Sequence, residues 1–213
     1  MMLKPELVKL LDPRQTALLV IDIQRAYCSR NEPLPKFRKF DTTPIDKMIP
    51  KLENFINEAR NQNIPIIWTR MIEDPDFGPQ NLKKKMKIEK WVHISTPGKS
   101  TFKYYKIKPR EGDKEFVKYQ YDAFTNKKLD KYLRNKKIET VILTGVYTSR
   151  CVDSTMRGAF AKGYNIFVPE DLVAMPKQLN YEHRATLSVC KVIFGYVLKS
   201  EDIKNAWSTT RMF

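Results

Sequence analysis

Apolar residues along the chain fall into short unbroken runs that alternate with stretches of helical period. Residues 16–23 (TALLVIDI) are too continuous for a half-exposed strand and predict a central parallel strand buried on both faces. Between residues 44 and 61, Ile45, Met48, Ile49, Leu52, Phe55, Ile56 and Ala59 recur at helical spacing behind an early proline, which predicts an amphipathic helix. Residues 64–69 (IPIIWT) read as a second strand, and 115–118 (EFVK) as a short third one. Residues 126–135 read as a brief helix with Leu129, Tyr132 and Leu133 on one face. A fourth strand covers 141–143, Gly145 punctuates it, and helical spacing resumes from Val152. Residues 165–168 predict a fifth strand ended by Pro169, 181–189 a helix, 191–197 a sixth strand, and 200–207 a closing helix capped by Ser200.

Strands alternating with helices in this way predict an α/β fold of three layers. Its mostly parallel six-stranded sheet carries helices on both faces, in a Rossmann-like topology. The first 15 residues read as an arm or short helix. No internal repeat, Gly/Ser linker or compositional break divides the chain, so residues 1–213 are expected to form one domain. Residues 71–114 are the exception to the alternation, with Pro75, Pro79, Pro97 and Pro109 among many lysines and with Trp91, Phe102, Tyr104 and Tyr105. Such an excursion is commonly a lid or a partner contact; a surface insertion covering a sheet edge fits the pattern equally.

Composition narrows the class. Hydrophobic residues make up 42% and charged residues 30% of 213, which suits a folded chain with a sizeable core. No apolar run approaches the roughly 18–20 residues that span a bilayer, and the N-terminal segment has no signal-peptide pattern, so a cytoplasmic protein is expected. The net charge of +15 invites a nucleic-acid reading. Its distribution argues otherwise: basic residues are scattered, the densest run (Lys83 to Lys87) is short, and no zinc-finger or RNA-binding aromatic signature is present. Three cysteines, Cys28, Cys151 and Cys190, are too few and too far apart for a disulfide framework or a zinc cluster.

Three polar side chains stand at or just past the carboxyl ends of predicted strands: Asp22, Lys118 and Cys151. In open α/β sheets ligands bind in the crevice outside those ends. Each residue has an ordinary alternative, as a helix-cap or loop carboxylate, a surface lysine and a packed thiol. Together on one rim they also fit thiol chemistry. Cys151 sits where a turn becomes a helix, whose first amides favour a thiolate. A carboxylate in a poorly hydrated pocket can take the thiol proton, and a nearby ammonium can hold the resulting charge.

The motifs that carry these residues are LLVIDIQRAY at 18–27, VKYQYDAF at 117–124 and TGVYTSRC at 144–151 leading into VDSTMRGAFAKGY. In that order, and over nearly the whole chain, they resemble the isochorismatase-like cysteine hydrolase superfamily. The resemblance implies a catalytic triad of Asp22, Lys118 and Cys151, with Cys151 attacking, Asp22 moving the proton and Lys118 positioning Asp22. It implies a non-proline cis peptide at Val146–Tyr147, turning the amides of Tyr147 and Cys151 toward a developing oxyanion. Gln24, Tyr27 and Thr148 become candidate substrate contacts, and Trp68 and Tyr147 candidate pocket walls. His183 matches a histidine found near the last helix of relatives, read here as a packing or capping residue. Cys28 and Cys190 are read as unreactive.

Departures from the pattern bear on the substrate. Nicotinamidases of the superfamily hold a metal with an Asp-x-His motif after the second strand; here that region is TRMIEDPDFGP, and His93 and His183 are too separated for that site. The usual Gly-Thr after the aromatic segment is replaced by Asn126-Lys127. The surroundings Arg25-Ala26-Tyr27 and Thr148-Ser149 are closer to the branch containing N-carbamoylsarcosine amidase. The expectation is a hydrolase without metal or cofactor, cleaving a C–N bond of a small amide or carbamoyl compound through a thioester. An isochorismatase-type vinyl ether hydrolase and a non-enzymatic interaction module of the same fold are the alternatives. Assembly into a homodimer or homotetramer is expected, with no specific nucleic acid or membrane partner.

Overall fold

The computed structural model describes residues 3–91 and 93–210, so Met1 and Met2 of the predicted arm and Val92 of the excursion lie outside the described residues. Seven strands form one sheet: β1 (Thr16–Ile21), β2 (Ile66–Met71), β3 (Lys114–Lys118), β4 (Thr140–Val146), β5 (Asn165–Pro169), β6 (Val173–Ala174) and β7 (Tyr196–Leu198). Their order is β3-β2-β1-β4-β5-β7, with β6 beside the end of β4, and every pairing is parallel. Every residue of β1 and β4 is buried, as their unbroken apolar runs require of central strands. Edge strand β3 is largely exposed apart from its last residue, Lys118.

Helices flank the sheet. The longest, α4 (Thr43–Asn61), buries the seven residues whose spacing predicted it and packs on β2, β4 and β6. Its Phe55 meets Trp207 of the closing helix α9 (Ser200–Thr210), ring centroids 5.0 Å apart. Helix α6 (Lys127–Asn135) is tied to the turn before β5, where Tyr164 donates to Asp130 at 2.8 Å. Helix α7 (Asp153–Ala161) packs on β5.

The chain runs outward from β1 in both directions, to β2 and β3 on one side and to β4 and β5 on the other. The order therefore reverses between β1 and β4, and the crevice at their carboxyl ends is the topological switch point. Gly145 makes this junction possible. It pairs with Ile21 at φ +105°, and a Cβ there would lie 2.1 Å from the Ile21 carbonyl oxygen.

Three local expectations change. The six-stranded sheet gains β6, a two-residue strand too short to leave a periodic signal. The predicted strand at 191–197 is a π-helical turn, Cys190–Phe194, followed by a three-residue strand, because Val192 and Ile193 face outward rather than into the sheet. Ser200 begins α9 without capping it; its amide and hydroxyl both donate to Asp171, at 2.8 and 2.7 Å.

The excursion after β2 is ordered. It contains α5 (Gln80–Ile88) and folds back over the rim, burying Ile72, Met86, Ile94 and Ile107. Isolated bridges Glu73–Ser95 and Gln24–Tyr104 fasten it there. Among the described residues no helix is long and apolar enough to cross a membrane.

Candidate active site

The carboxyl ends of β1, β2, β3 and β4 bring Asp22, Glu73, Lys118 and Cys151 to one rim. Asp22 follows β1 with φ 52°, a left-handed conformation that aspartate tolerates better than most residues and that turns its side chain off the strand path. Its amide donates to Thr69 O at 3.2 Å, and its Oδ1 accepts from Thr69 Oγ1 at 2.7 Å. Lys118 Nζ stands 2.7 Å from Asp22 Oδ2, and both side chains are shut off from solvent. The ammonium aims its good hydrogen bonds at the carbonyls of Gln120 and Tyr121, each 3.1 Å away, leaving Oδ2 without a well-directed donor. Burial, the largest single influence, would push Lys118 toward neutrality, but the Asp22 charge, Cys151 and the hydrogen bonds to both together outweigh it and hold the ammonium form.

Cys151 lies on a π-helical turn, Thr148–Val152, that runs directly into α7. The peptide between Val146 and Tyr147 is cis, as the resemblance implied. The thiol interacts with both Asp22 and Lys118, and its Sγ lies 3.8 Å from the Met71 sulfur. Burial raises its pKa well above the ordinary thiol range; Lys118 pulls it down, and Asp22 pushes it up again. The resting group is therefore a neutral thiol beside a carboxylate–ammonium pair. The helix start does not by itself make it a thiolate.

A small space of about 20 Å³ lies beside Cys151, lined by Tyr27, Val146 and Tyr147 among others. It shares Leu34, Glu73, Tyr121 and Arg150 with a larger cavity of about 560 Å³, whose outer wall includes Trp91 and Ile94 of the excursion. Only the reacting atoms fit the inner space. The body of a small molecule fits the outer one.

Among the other predicted contacts, Tyr27 lines the inner space and donates to Glu73 at 3.1 Å. Tyr147 lines it too, with its hydroxyl bonded to Tyr27 O at 2.7 Å. Gln24 is directed elsewhere. Its amide bonds Met71 N, Met71 O and Ser95 Oγ, at 2.7, 3.1 and 2.8 Å, and ties β1, β2 and the excursion together. Thr148 is fully buried and meets His183 Nδ1 at 2.9 Å, so this pair braces the turn before Cys151. Trp68 donates to Asp113 at 2.9 Å, away from the thiol. Asn126 caps α6 through Lys128 N and also donates to Val117 O, at 3.1 and 2.8 Å, fastening the residue before Lys118.

Two groups escaped sequence reasoning. Glu73 is 5% exposed and accepts from Tyr27 and Tyr121, yet in the sequence it looks like one more acidic loop residue. Asp74, Asp76 and His93 gather with ligand atoms within 4.8 Å of one another, because the excursion returns His93 to the acidic loop that its sequence position had set apart. Asp74 is almost fully buried and accepts from Thr96, from Asp76 N at 2.9 Å, and pairs with His93 Nδ1 at 2.8 Å. Burial pushes its carboxyl up, but these partners outweigh it and keep it ionised. The trio could hold a cation, though none of the three lines either space beside the thiol.

Residues 16–202 match the isochorismatase domain family. The ureidoacrylate amidohydrolase RutB of Methylobacterium radiotolerans is 31% identical over 210 residues, covering 91% of this chain and 80% of that protein. A cysteine hydrolase from Pseudomonas syringae pv. phaseolicola superposes with TM-score 0.77 at 21% identity, covering 92% of this chain and 94% of the other. N-carbamoylsarcosine amidase from Thermoplasma acidophilum does so with TM-score 0.71 at 24% identity, covering 88% and 97%.

Proposed function

The chain belongs to the isochorismatase family and is a hydrolase of that family, and from that premise we propose that it cleaves a C–N bond of a small amide or carbamoyl compound through a thioester on Cys151. The observation that carries this reading is the solvent-free Asp22–Lys118 pair facing the Cys151 thiol. The 31% identity to an amidohydrolase, whose name specifies a ureido compound, supports the bond type.

In this reading the Cys151 proton passes to Asp22 Oδ2 as the sulfur attacks the carbonyl carbon. The new S–C bond forms while the C=O electron pair moves to oxygen. The amides of Tyr147 and Cys151 are assigned to that oxygen, both residues lining the inner space. As the carbonyl re-forms, the C–N bond breaks and Asp22 returns its proton to the leaving nitrogen, releasing an amine or ammonia. Water then gives a proton to Asp22 and its oxygen to the thioester. Collapse expels the sulfur, which recovers the proton from Asp22. Lys118 stays charged throughout and holds the Asp22 side chain in place by their 2.7 Å pairing.

A neutral resting thiol makes Asp22 necessary. A free thiolate would need no base, whereas a buried thiol can attack only as its proton leaves. The sequence Cys151, Asp22 and Lys118 supplies every step, so no metal ion or cofactor enters it. The test is a turnover screen of N-carbamoyl amino acids, simple amides and isochorismate, with Cys151→Ala as control. Release of amine or ammonia by the wild type alone supports the reading, and turnover of isochorismate alone refutes it.

A further inference from the structure

A second cavity, of about 510 Å³, lies against the turn that carries Cys151 and shares no lining residue with either space beside the thiol. One wall is a stripe of α4, where Lys47, Met48 and Lys51 are spaced to fall on one helix face. The facing wall is the connection from β5 through β6, continued by His183 from the start of α8 (Asn180–Val189). Met48, Val173, Ala174 and Met175 are buried and make an apolar floor.

The charged groups around this cavity are unequally committed. Glu170 pairs with Lys199 at 2.5 Å, and Asp171 accepts from both the amide and the hydroxyl of Ser200, at 2.8 and 2.7 Å. Lys47, Lys51 and Lys177 have no carboxylate oxygen within 4.0 Å among the described residues. Asp41 feels Lys177 and Lys47 but lies beyond that distance, its Oδ1 accepting from Thr43 N at 2.9 Å. The backbone of Lys177 is fixed, its amide donating to Asp41 O at 2.9 Å. Like charges four residues apart on a helix repel, and a third lysine on the same cavity adds to that cost. A bound anion removes it.

His183 supplies the polar contact at the inner end. Burial holds its pKa below the ordinary histidine value, so near pH 7 the ring is neutral, with one nitrogen a donor and the other an acceptor. Nδ1 meets Thr148 Oγ1 at 2.9 Å, and Nε2 has no partner among the described residues. With the Thr148 hydroxyl donating to Nδ1, the ring proton sits on Nε2 and can be given to an anion. Met175 Sδ accepts from Ser149 N at 3.4 Å, so the inner wall of the cavity is bonded to the start of the Cys151 turn at two points.

We propose that this cavity is a second ligand site, separate from the thiol's, and that it takes a phosphate monoester with a small apolar body: Lys47, Lys51 and Lys177 balance the phosphate, His183 Nε2 donates to it, and the body rests on Met48, Val173 and Met175. Near pH 7 such a phosphate carries a charge of about −1.5 to −2 on three acceptor oxygens, which three ammonium point charges suit. A carboxylate is better matched by the fork of an arginine, and no arginine lines this cavity. Inorganic phosphate leaves the apolar floor uncovered. The site gives the hydrolase an effector position, which bears on the Cys151 turn through His183 and Met175.

The chain has two histidines, His93 and His183, so a long-range proton–nitrogen spectrum follows each ring separately. Wild-type protein in phosphate-free buffer is titrated with phenyl phosphate, inorganic phosphate and benzyl alcohol, by calorimetry and by this spectrum. Phenyl phosphate should bind most tightly, inorganic phosphate about tenfold more weakly, and benzyl alcohol not at all. Phenyl phosphate should move the His183 signals and leave those of His93 in place. Lys47→Gln and Lys177→Gln should each weaken it by about tenfold, as for a lost charged hydrogen bond, while Lys84→Gln on the exposed side of α5 changes nothing. Equal affinity for inorganic and phenyl phosphate, binding unchanged in Lys47→Gln and Lys177→Gln, shifts confined to His93, or no binding of either phosphate overturns the proposal. The thioester chemistry is untouched by any of these results, since neither lysine enters it.

Discussion

Lys118 Nζ lies 2.7 Å from Asp22 Oδ2 with neither group open to solvent, and the two arrive from strands β3 and β1 with β2 between them. Such a pair is costly to bury and costlier to break, since removing one partner strands the other charge. Its position against the Cys151 thiol gives it a use. When the carboxylate takes the thiol proton, the ammonium is left to balance the negative charge that moves to the sulfur and on to the substrate oxygen.

Asp22→Asn removes the proton acceptor with little change of shape. Turnover should fall by about 100- to 10,000-fold, the usual range for loss of a general base. A kcat within threefold of wild type, measured on the best substrate of the screen, would mean that the thiol loses its proton elsewhere.

The raised Cys151 pKa has a direct consequence for labelling. Less thiolate exists at a given pH, so alkylation by iodoacetamide is slow near neutrality and accelerates only as pH passes the ordinary thiol range. Peptide mapping separates this site from Cys28 and Cys190, which burial also raises. A rate profile that levels off below pH 8 would show a preformed thiolate.

Glu73 affects stability with a definite sign. Burial lifts its folded-state pKa above the ordinary value of 4.5, so the folded chain holds that proton more tightly than the unfolded chain. Its contribution to stability therefore declines as pH rises from about 4.5 through the folded value. Glu73→Gln removes this loss. The variant should melt higher than wild type at pH 7, with the difference shrinking toward pH 4. An equal or lower Tm at pH 7 contradicts the assignment.

Gly145→Ala should destabilise the chain by at least about 3 kcal/mol, since the new Cβ meets the Ile21 backbone at a φ that side chains rarely adopt. Urea unfolding of the purified variant measures this, and a wild-type midpoint would contradict the close approach of β1 and β4.

Metal removal gives another check. Dialysis against EDTA should leave turnover unchanged, because the Asp74, Asp76 and His93 group lies outside the lining of the thiol's cavity. Lost turnover that returns with a divalent cation would place a metal in the reaction.

Much of this architecture can be read from residue patterns because burial on both faces leaves no room for polar interruptions. The runs at β1 and β4 are continuous for that reason, and Asp22 is conspicuous where the first one ends. The helix α4 is equally plain, its seven buried residues falling on one face. The turn at Cys190–Phe194 misleads because Val192 and Ile193 are exposed, so an apolar run there does not mark a strand. Glu73 and His93 are illegible for a different reason. Tyr27 and Tyr121 reach Glu73 because β1, β2 and β3 end side by side at one rim, and the return of the excursion brings His93 to Asp74. Gln24 shows the converse: a polar residue in the right motif can serve the scaffold, here by bonding Met71 and Ser95.

The proposed reaction turns on Cys151 carrying the acyl group. The most direct measurement is intact-protein mass spectrometry after acid quench during turnover, with peptide mapping and a Cys151→Ala control. The expected result is an adduct with the mass of the substrate's acyl or carbamoyl group, located on Cys151, and no turnover by the alanine variant. Undiminished turnover by Cys151→Ala, with no adduct on the wild type, would contradict it.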